Sequence, residues 1–463
     1  MMNWFGLLST LCLGATPLAA QETNQVEQLK KRLQELQSSF QKIQEQQRQQ
    51  IEALQKQIEA LQRPQPAATN LANAVAPSVE SKSWSPAQPV TLARAGAAYM
   101  NVSFDGVADL GWSTASDPSA QLQLGDHDPI QRGFSLRNAE IALDGAVDPY
   151  FKGFANIVFK LDKDNETELE LEEVFAQSTS LPANLQLKGG QFFAAFGRQN
   201  PQHPHAWAFV DQPLILNRLF GPDGLRNVGA QLSWLLPTSF YTEAFLGVLN
   251  GEGGTAFSFR DTGPEGTHGR AALSRGLRGA GDLLFVPRVA SSFELTDTQT
   301  LVVGASGAFG PNDTGPHTRT EIYGVDAYWK WKSASANAGF PFVSWQTEAL
   351  YRRFGAGSDA AATLPTENLQ DWGLYSQVLW GIKPRWVAGL RGEFVDSNAG
   401  AFDSLDPFRG SRARISPNLT WYPSEYSKLR LQYNYDQDEF FDDGHSVWLQ
   451  FEFLLGAHAA HKF

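Results

Sequence analysis

Cysteine is all but missing from this chain: one thiol, Cys12, stands in 463 residues, inside an N-terminal stretch that reads as a cleavable leader. Beyond it there is no thiol, which excludes disulfides and cysteine-ligated metals and suits export to an oxidising compartment. Long apolar runs are just as scarce. After Ala20 no stretch approaches the length of a spanning helix, so a helical membrane protein is excluded. Mean hydropathy is −0.30, although the chain holds 13 Trp, 11 Tyr and 31 Phe. A barrel reconciles these facts, because only alternate strand residues meet lipid.

Residues 1–20 read as a signal peptide, with a short apolar core from Trp4 to Leu13 and small residues at Ala19-Ala20. No Lys or Arg precedes the core, and Leu18 occupies the −3 position. Residues 21–63 are rich in Gln, Glu, Lys and Leu. Their apolar residues run Val26, Leu29, Leu33, Leu36, Phe40, Ile43, then Ile51, Leu54, Ile58, Leu61, spaced three and four apart. That is the seam of a coiled coil, with Gln47 in a step that locally unwinds it. A helix this polar is marginal alone, so the seam predicts self-association; a solvated helix is the alternative reading. Residues 64–95, with five prolines among Ala, Ser and Asn, read as an extended tether.

From Gly96 to Phe463 the texture is alternation. Phe151, Ala155, Ile157, Phe159 and Leu161 oppose Lys152, Asn156 and Lys160. Leu169 and Leu171 oppose Glu168, Glu170 and Glu172. Val447, Leu449, Phe451 and Phe453 oppose Trp448, Gln450 and Glu452. Short breaks (148–149, 182–184, 237–238, 296–298, 333–339, 383–384, 423–426) interleave with longer ones (113–131, 197–227, 251–281, 310–319, 355–369, 397–410, 438–444) and one brief outer break at 163–166. Seven inner and eight outer breaks predict an all-β transmembrane barrel of about sixteen antiparallel strands. Both ends, and with them the coil, then lie in the periplasm of a Gram-negative envelope, with the barrel in outer-membrane lipid. A soluble β-sandwich would not require strictly alternating loop lengths.

The stretches Phe134-Ser135-Leu136-Arg137-Asn138-Ala139-Glu140-Ile141-Ala142-Leu143-Asp144-Gly145 and Leu187-Lys188-Gly189-Gly190-Gln191-Phe192, with Phe196-Gly197, resemble the phosphate-selective porin O and P family. The resemblance runs from about residue 96 to the end and implies a sixteen-stranded homotrimeric porin for small solutes or ions. Residues 200–229 are also similar to a group labelled zinc-regulated outer-membrane receptor. The aromatic C-terminus, Phe463, resembles the terminus of barrels handled by the insertion machinery, although Ala459 and His461 break its usual alternation.

The 197–227 break is the third outer loop, which by the same resemblance folds inward as a constriction. It supplies the candidate constriction residues Arg198, His203, His205, Asp211, Arg218, Asp223 and Arg226. His203 and His205, one proline apart, form a ligand pattern for zinc, with Asp211 nearby; they serve equally as loop-packing residues. His458 and His461 belong to a terminal tail. A lumen ladder is expected from Lys152, Lys160, Glu168, Glu170, Glu172, Arg391 and Glu393, with Arg352, Arg385, Arg430, Glu243, Glu348 and Glu452 on the same wall. Its mixed signs show no phosphate ladder, which would need a file of Arg and Lys.

Passive diffusion therefore leads. Energised metal uptake would need a large plug domain that residues 21–95 do not supply. Envelope tethering by the coil is a structural alternative without a recognisable wall-binding module. No cofactor, nucleic-acid site or enzyme constellation is expected; His445 and Ser446, the nearest pair, are adjacent and point to opposite sides of a strand.

Overall fold

The computed structural model describes residues 90–260, 267–273 and 276–456. The leader, the coil, most of the tether, His458, His461 and Phe463 lie outside the described residues. The first strands are β1 (Val90–Ala95), β2 (Ala98–Ser113), β3 (Gly133–Ala146), β4 (Phe151–Leu161), β5 (Thr167–Ser178) and β6 (Leu185–Phe193). Next come β7 (Arg226–Leu235), β8 (Tyr241–Leu249), β9 (Leu284–Thr296), β10 (Gln299–Pro311), β11 (Arg319–Asn337) and β12 (Phe340–Ala356). The last are β13 (Glu367–Lys383), β14 (Trp386–Ser397), β15 (Arg412–Ser424), β16 (Ser427–Asp438) and β17 (Gly444–Leu455).

From β2 onward each strand pairs antiparallel with the next, and β17 returns to β2 with Leu449 opposite Leu110. Sixteen strands thus close a barrel, as the alternation predicts, and the even count puts both ends at the rim of short turns. Burial is inverted relative to a soluble protein. On β16, Arg430, Gln432 and Asn434 are buried while Leu431 is exposed; on β17, Trp448 and Gln450 are buried while Val447, Leu449 and Phe451 are exposed. Apolar residues face out and polar ones face a filled interior, the distribution a lipid-facing wall requires. No helix among the described residues is long and apolar enough to cross a membrane.

Three boundaries differ from expectation. Residues 90–95, read as tether, form β1, which pairs with β2 from Ala95 opposite Ala98 to Val90 opposite Val102. β17 reaches β2 only from Phe104 upward, so β1 covers an edge that would otherwise be open. Residues 333–337, read as a break, continue β11. The turn shrinks to Ala338 (φ 49) and Gly339 (φ 83), two positive-φ residues that match the strand twist. Arg385, expected on the lumen wall, sits in the β13–β14 turn at φ 75.

The eight outer connections share one rim, and the third, residues 194–225, folds into the barrel. Its helix, Leu214–Phe220, is buried along its whole length. Leu214, Ile215, Leu216, Leu219 and Phe220 meet Leu249, Leu284, Val286, Ala308, Ile322, Leu350 and Val395 of β8 to β14. The barrel therefore carries an apolar core on part of its inner wall, which period-two reading of single strands does not reveal.

Candidate functional site

The third loop begins and ends at one point. Ala194 N–H donates to Leu225 O (2.9 Å). Asn200 Nδ2 donates to the carbonyls of Ala194 (2.9 Å) and Leu225 (3.0 Å), and its Oδ1 accepts from Leu225 N (2.8 Å). Beyond this neck the chain turns inward at Gly197 (φ 60). A β-carbon there would collide with the Glu348 carboxylate, which accepts from the N–H groups of Arg198 (3.0 Å) and Gln199 (2.7 Å). Glycine is needed both for the left-handed backbone and for that approach. The Arg198 guanidinium lies 3.9 Å over the Tyr328 ring.

His203 then enters an acidic wall. Its Nδ1 lies 2.6 Å from Glu172 Oε2, its Nε2 lies 2.9 Å from Glu173 Oε2, and Nδ1 is 3.9 Å from Glu140 Oε2. Glu173 follows Glu172 on β5, yet both are buried. The cause is a β-bulge: Asn156 pairs with Glu173 and Ile157 with Leu171, so Glu172 is the extra residue and both carboxylates turn inward. Burial disfavours a charged ring, but Glu172, Glu173 and Glu140 outweigh it and hold His203 well above its ordinary range. His205 stacks on His203 at 5.7 Å between ring centres. Its Nδ1 lies 3.2 Å from Glu140 Oε2 and 3.4 Å from Asp105 Oδ2.

The loop next passes along β16 and β15, which β17 joins to β2. Lys428 Nζ donates to His205 O (2.6 Å), Arg430 to Trp207 O (2.8 Å) and Asn418 to Ala208 O (2.9 Å). Asp211 there accepts from Arg391 (2.6 Å), Arg414 (2.9 Å), Gln432 (2.7 Å) and Asn434 (2.9 Å). Burial alone would push its carboxyl up; the two guanidiniums hold it below its ordinary value instead. Leu214 N–H donates to Glu393 (2.7 Å), which also pairs with Arg391 (2.7 Å). Arg218, in the helix, gives its N–H groups to the carbonyls of Arg409 (3.3 Å) and Gly410 (2.6 Å).

The expected site residues therefore separate into groups. Asp211 does not join His203 and His205; it is bound by arginines of β14 and β15. Lys160, Glu168 and Glu170 cluster with Asp126. Arg226 pairs with Glu170 and donates to Glu172 O (3.0 Å). Asp223 lies beside Asp126, His127 and Glu170. Lys152, at the short-turn end of β4, is exposed and joins none of them. The expected continuous ladder is thus two walls bridged by the loop, with acidic residues on β2 to β5 and arginines on β12 to β16. Sequence reading missed Asp105, Glu140, Glu173 and Arg414. Glu173 had a signal, since a carboxylate in the lipid-facing phase of β5 is costly enough to imply a bulge.

No protein-family model matches the chain. A protein of Aquifex aeolicus (strain VF5), described only as uncharacterized, is 32% identical over 358 residues, spanning 72% of this chain and 71% of that one. Among solved structures, the outer-membrane channel DcaP of Acinetobacter baumannii superposes with a TM-score of 0.52 at 12% identity, over 78% of this chain and 99% of its own. An anion-selective porin from Comamonas acidovorans gives 0.51 at 7% identity, over 77% and 100%. Identities this low speak for the fold alone. The chain belongs to the family of the Aquifex aeolicus protein, and its described residues adopt the barrel fold of outer-membrane porins.

Proposed function

We propose that this chain is an outer-membrane porin through which small hydrophilic solutes diffuse passively along a lumen narrowed by residues 194–225. The observation that carries the reading is a closed sixteen-strand wall, apolar outside and polar inside, with its third loop bound across the interior. Phosphate selectivity, the finer expectation of the family resemblance, is not part of the proposal. The lumen arginines are already committed: Arg391 and Arg414 to Asp211, Arg412 to Asp438, Arg352 to Asp371. A guanidinium held by a carboxylate offers little to a passing anion.

The full chain, purified in detergent and added to planar bilayers, gives stepwise conductance if the proposal holds; a barrel that never conducts sinks it. Reversal potential in a salt gradient then reads ion preference, expected to be weak. The coil at residues 21–63 is the natural homotrimer clamp in this reading. Deleting residues 22–62 should leave the barrel folded while trimers dissociate; trimers that persist unchanged would rule the clamp out.

A further inference from the structure

Among the described residues, three groups of carboxylates and histidines bring ligand atoms close enough to share an ion. Two are already satisfied. In the group Asp126, His127, Glu170 and Asp223, Lys160 pairs with Asp126 and Arg226 with Glu170, so fixed cations fill the role of a metal. In the group Glu140, Glu172 and His203, the His203 ring is clasped by a carboxylate on each nitrogen. The 2.6 Å contact to Glu172 is a hydrogen-bond length, shorter than the separation of two ligands on one metal.

The third group differs. Asp105 of β2 and Glu140 of β3 stand directly opposite each other across the strand pair. Both are completely buried, at 0% exposure. Like charges opposed across a ladder are destabilising, and burial adds to the cost, although Lys428 acts on Asp105 and the His203 ring lies 3.9 Å from Glu140. Neither Asp105 oxygen receives a hydrogen bond. Glu140 accepts from Asn138 Nδ2 (2.7 Å) and Asn156 Nδ2 (3.2 Å), which orient it. Over the pair sits His205, its Nδ1 3.2 Å from Glu140 Oε2 and 3.4 Å from Asp105 Oδ2. Metal–ligand bonds of about 2.1 Å in tetrahedral geometry place the ligand atoms about 3.4 Å apart. These three atoms thus already form most of one face of such a coordination shell.

We propose that Asp105, Glu140 and His205 bind a divalent transition-metal ion on the lumen wall, joining β2 and β3 to the third loop. One imidazole and two carboxylates suit a zinc-class ion better than calcium or magnesium, which take oxygen ligands alone. Three protein ligands leave a fourth position for water or a passing solute. The site does not depend on whether the barrel conducts, so its test stands apart from the conductance measurement.

The experiment uses the full chain in detergent, stripped with chelator and titrated calorimetrically with Zn²⁺. Co²⁺ is used in parallel to report nitrogen and oxygen coordination by its visible absorption. The expected result is one saturable site per chain. Asp105→Asn, nearly isosteric, and His205→Ala each weaken it by at least ~10-fold, while His445→Ala, at an exposed histidine on the outer wall, leaves it unchanged. Absence of saturable binding by the parent protein overturns the proposal. So does equal binding by the parent and Asp105→Asn, a variant whose folding is checked by the heat-dependent gel mobility of closed barrels.

Discussion

The two walls that hold the third loop solve opposite electrostatic problems. On the arginine wall a single loop carboxylate, Asp211, lies between Arg391 and Arg414 and also accepts from two amides. On the acidic wall a loop histidine, His203, lies between Glu172 and Glu173, with Glu140 close behind. Loop and wall are complementary in both places, yet only the arginine wall has a carboxylate for nearly every cation. The acidic wall keeps an excess of buried carboxylates. The loop's own charges are thus placed like mortise and tenon, and the unbalanced wall is where an additional cation has room to act.

The largest test of this contrast removes Asp211. Asp211→Ala takes away the carboxylate that Arg391 and Arg414 share, leaving them Glu393 and Asp436, and the two lost charge-assisted contacts cost the anchored segment about 3–5 kcal/mol. Amide exchange of residues 207–212 should then accelerate by roughly 10²–10³-fold, while β2 to β5 exchange as before. Uniform acceleration around the barrel would show that the two walls are not separate anchors.

Acid provides the second test. The Asp211 carboxyl is held below its ordinary 3.8, so its contribution is complete above that pH and is lost as pH falls through the lower folded value. The groups facing it are Arg391 and Glu393 of β14, Arg414 of β15, Asp436 of β16 and Asp128 of the first outer loop. Exchange at residues 207–212, after correction for intrinsic rates, should accelerate as pH falls below 4. Loosening that begins near pH 6 would place the controlling group elsewhere.

The smallest effect is expected on the other wall. His203→Ala removes two charge-assisted contacts, worth about 1.5–3 kcal/mol, because the carboxylates left behind can take up protons. Thermal unfolding in detergent reads the loss. A loss equal to that of Asp211→Ala would erase the difference between the walls.

How much of this was legible in sequence follows from the range of each interaction. Period-two alternation and the interleaving of short and long breaks are local, and they carried strand count, orientation and the place of the third loop. The bulge at Glu172-Glu173 is a local exception that alternation smooths over. β1 was masked because Pro89 and the alanines around it continue the texture of the tether. The partners of Asp211 lie about two hundred residues away, on strands whose facing positions depend on barrel closure. No spacing rule connects Asp211 to Arg391 and Arg414, so the eye joined it to the nearest histidines instead.

The inner apolar core has a mechanical consequence. Five helix side chains, Leu214, Ile215, Leu216, Leu219 and Phe220, are buried against the barrel's inner wall. At about 1.5–3 kcal/mol each, swinging the helix into water would cost roughly 8–15 kcal/mol before any ion pair is broken. An equilibrium that steep leaves the withdrawn state below about one molecule in a hundred thousand. The third loop is therefore masonry and not a gate. In the proposed porin, regulation of passage then falls to groups other than this loop, because its frame stays where it was built.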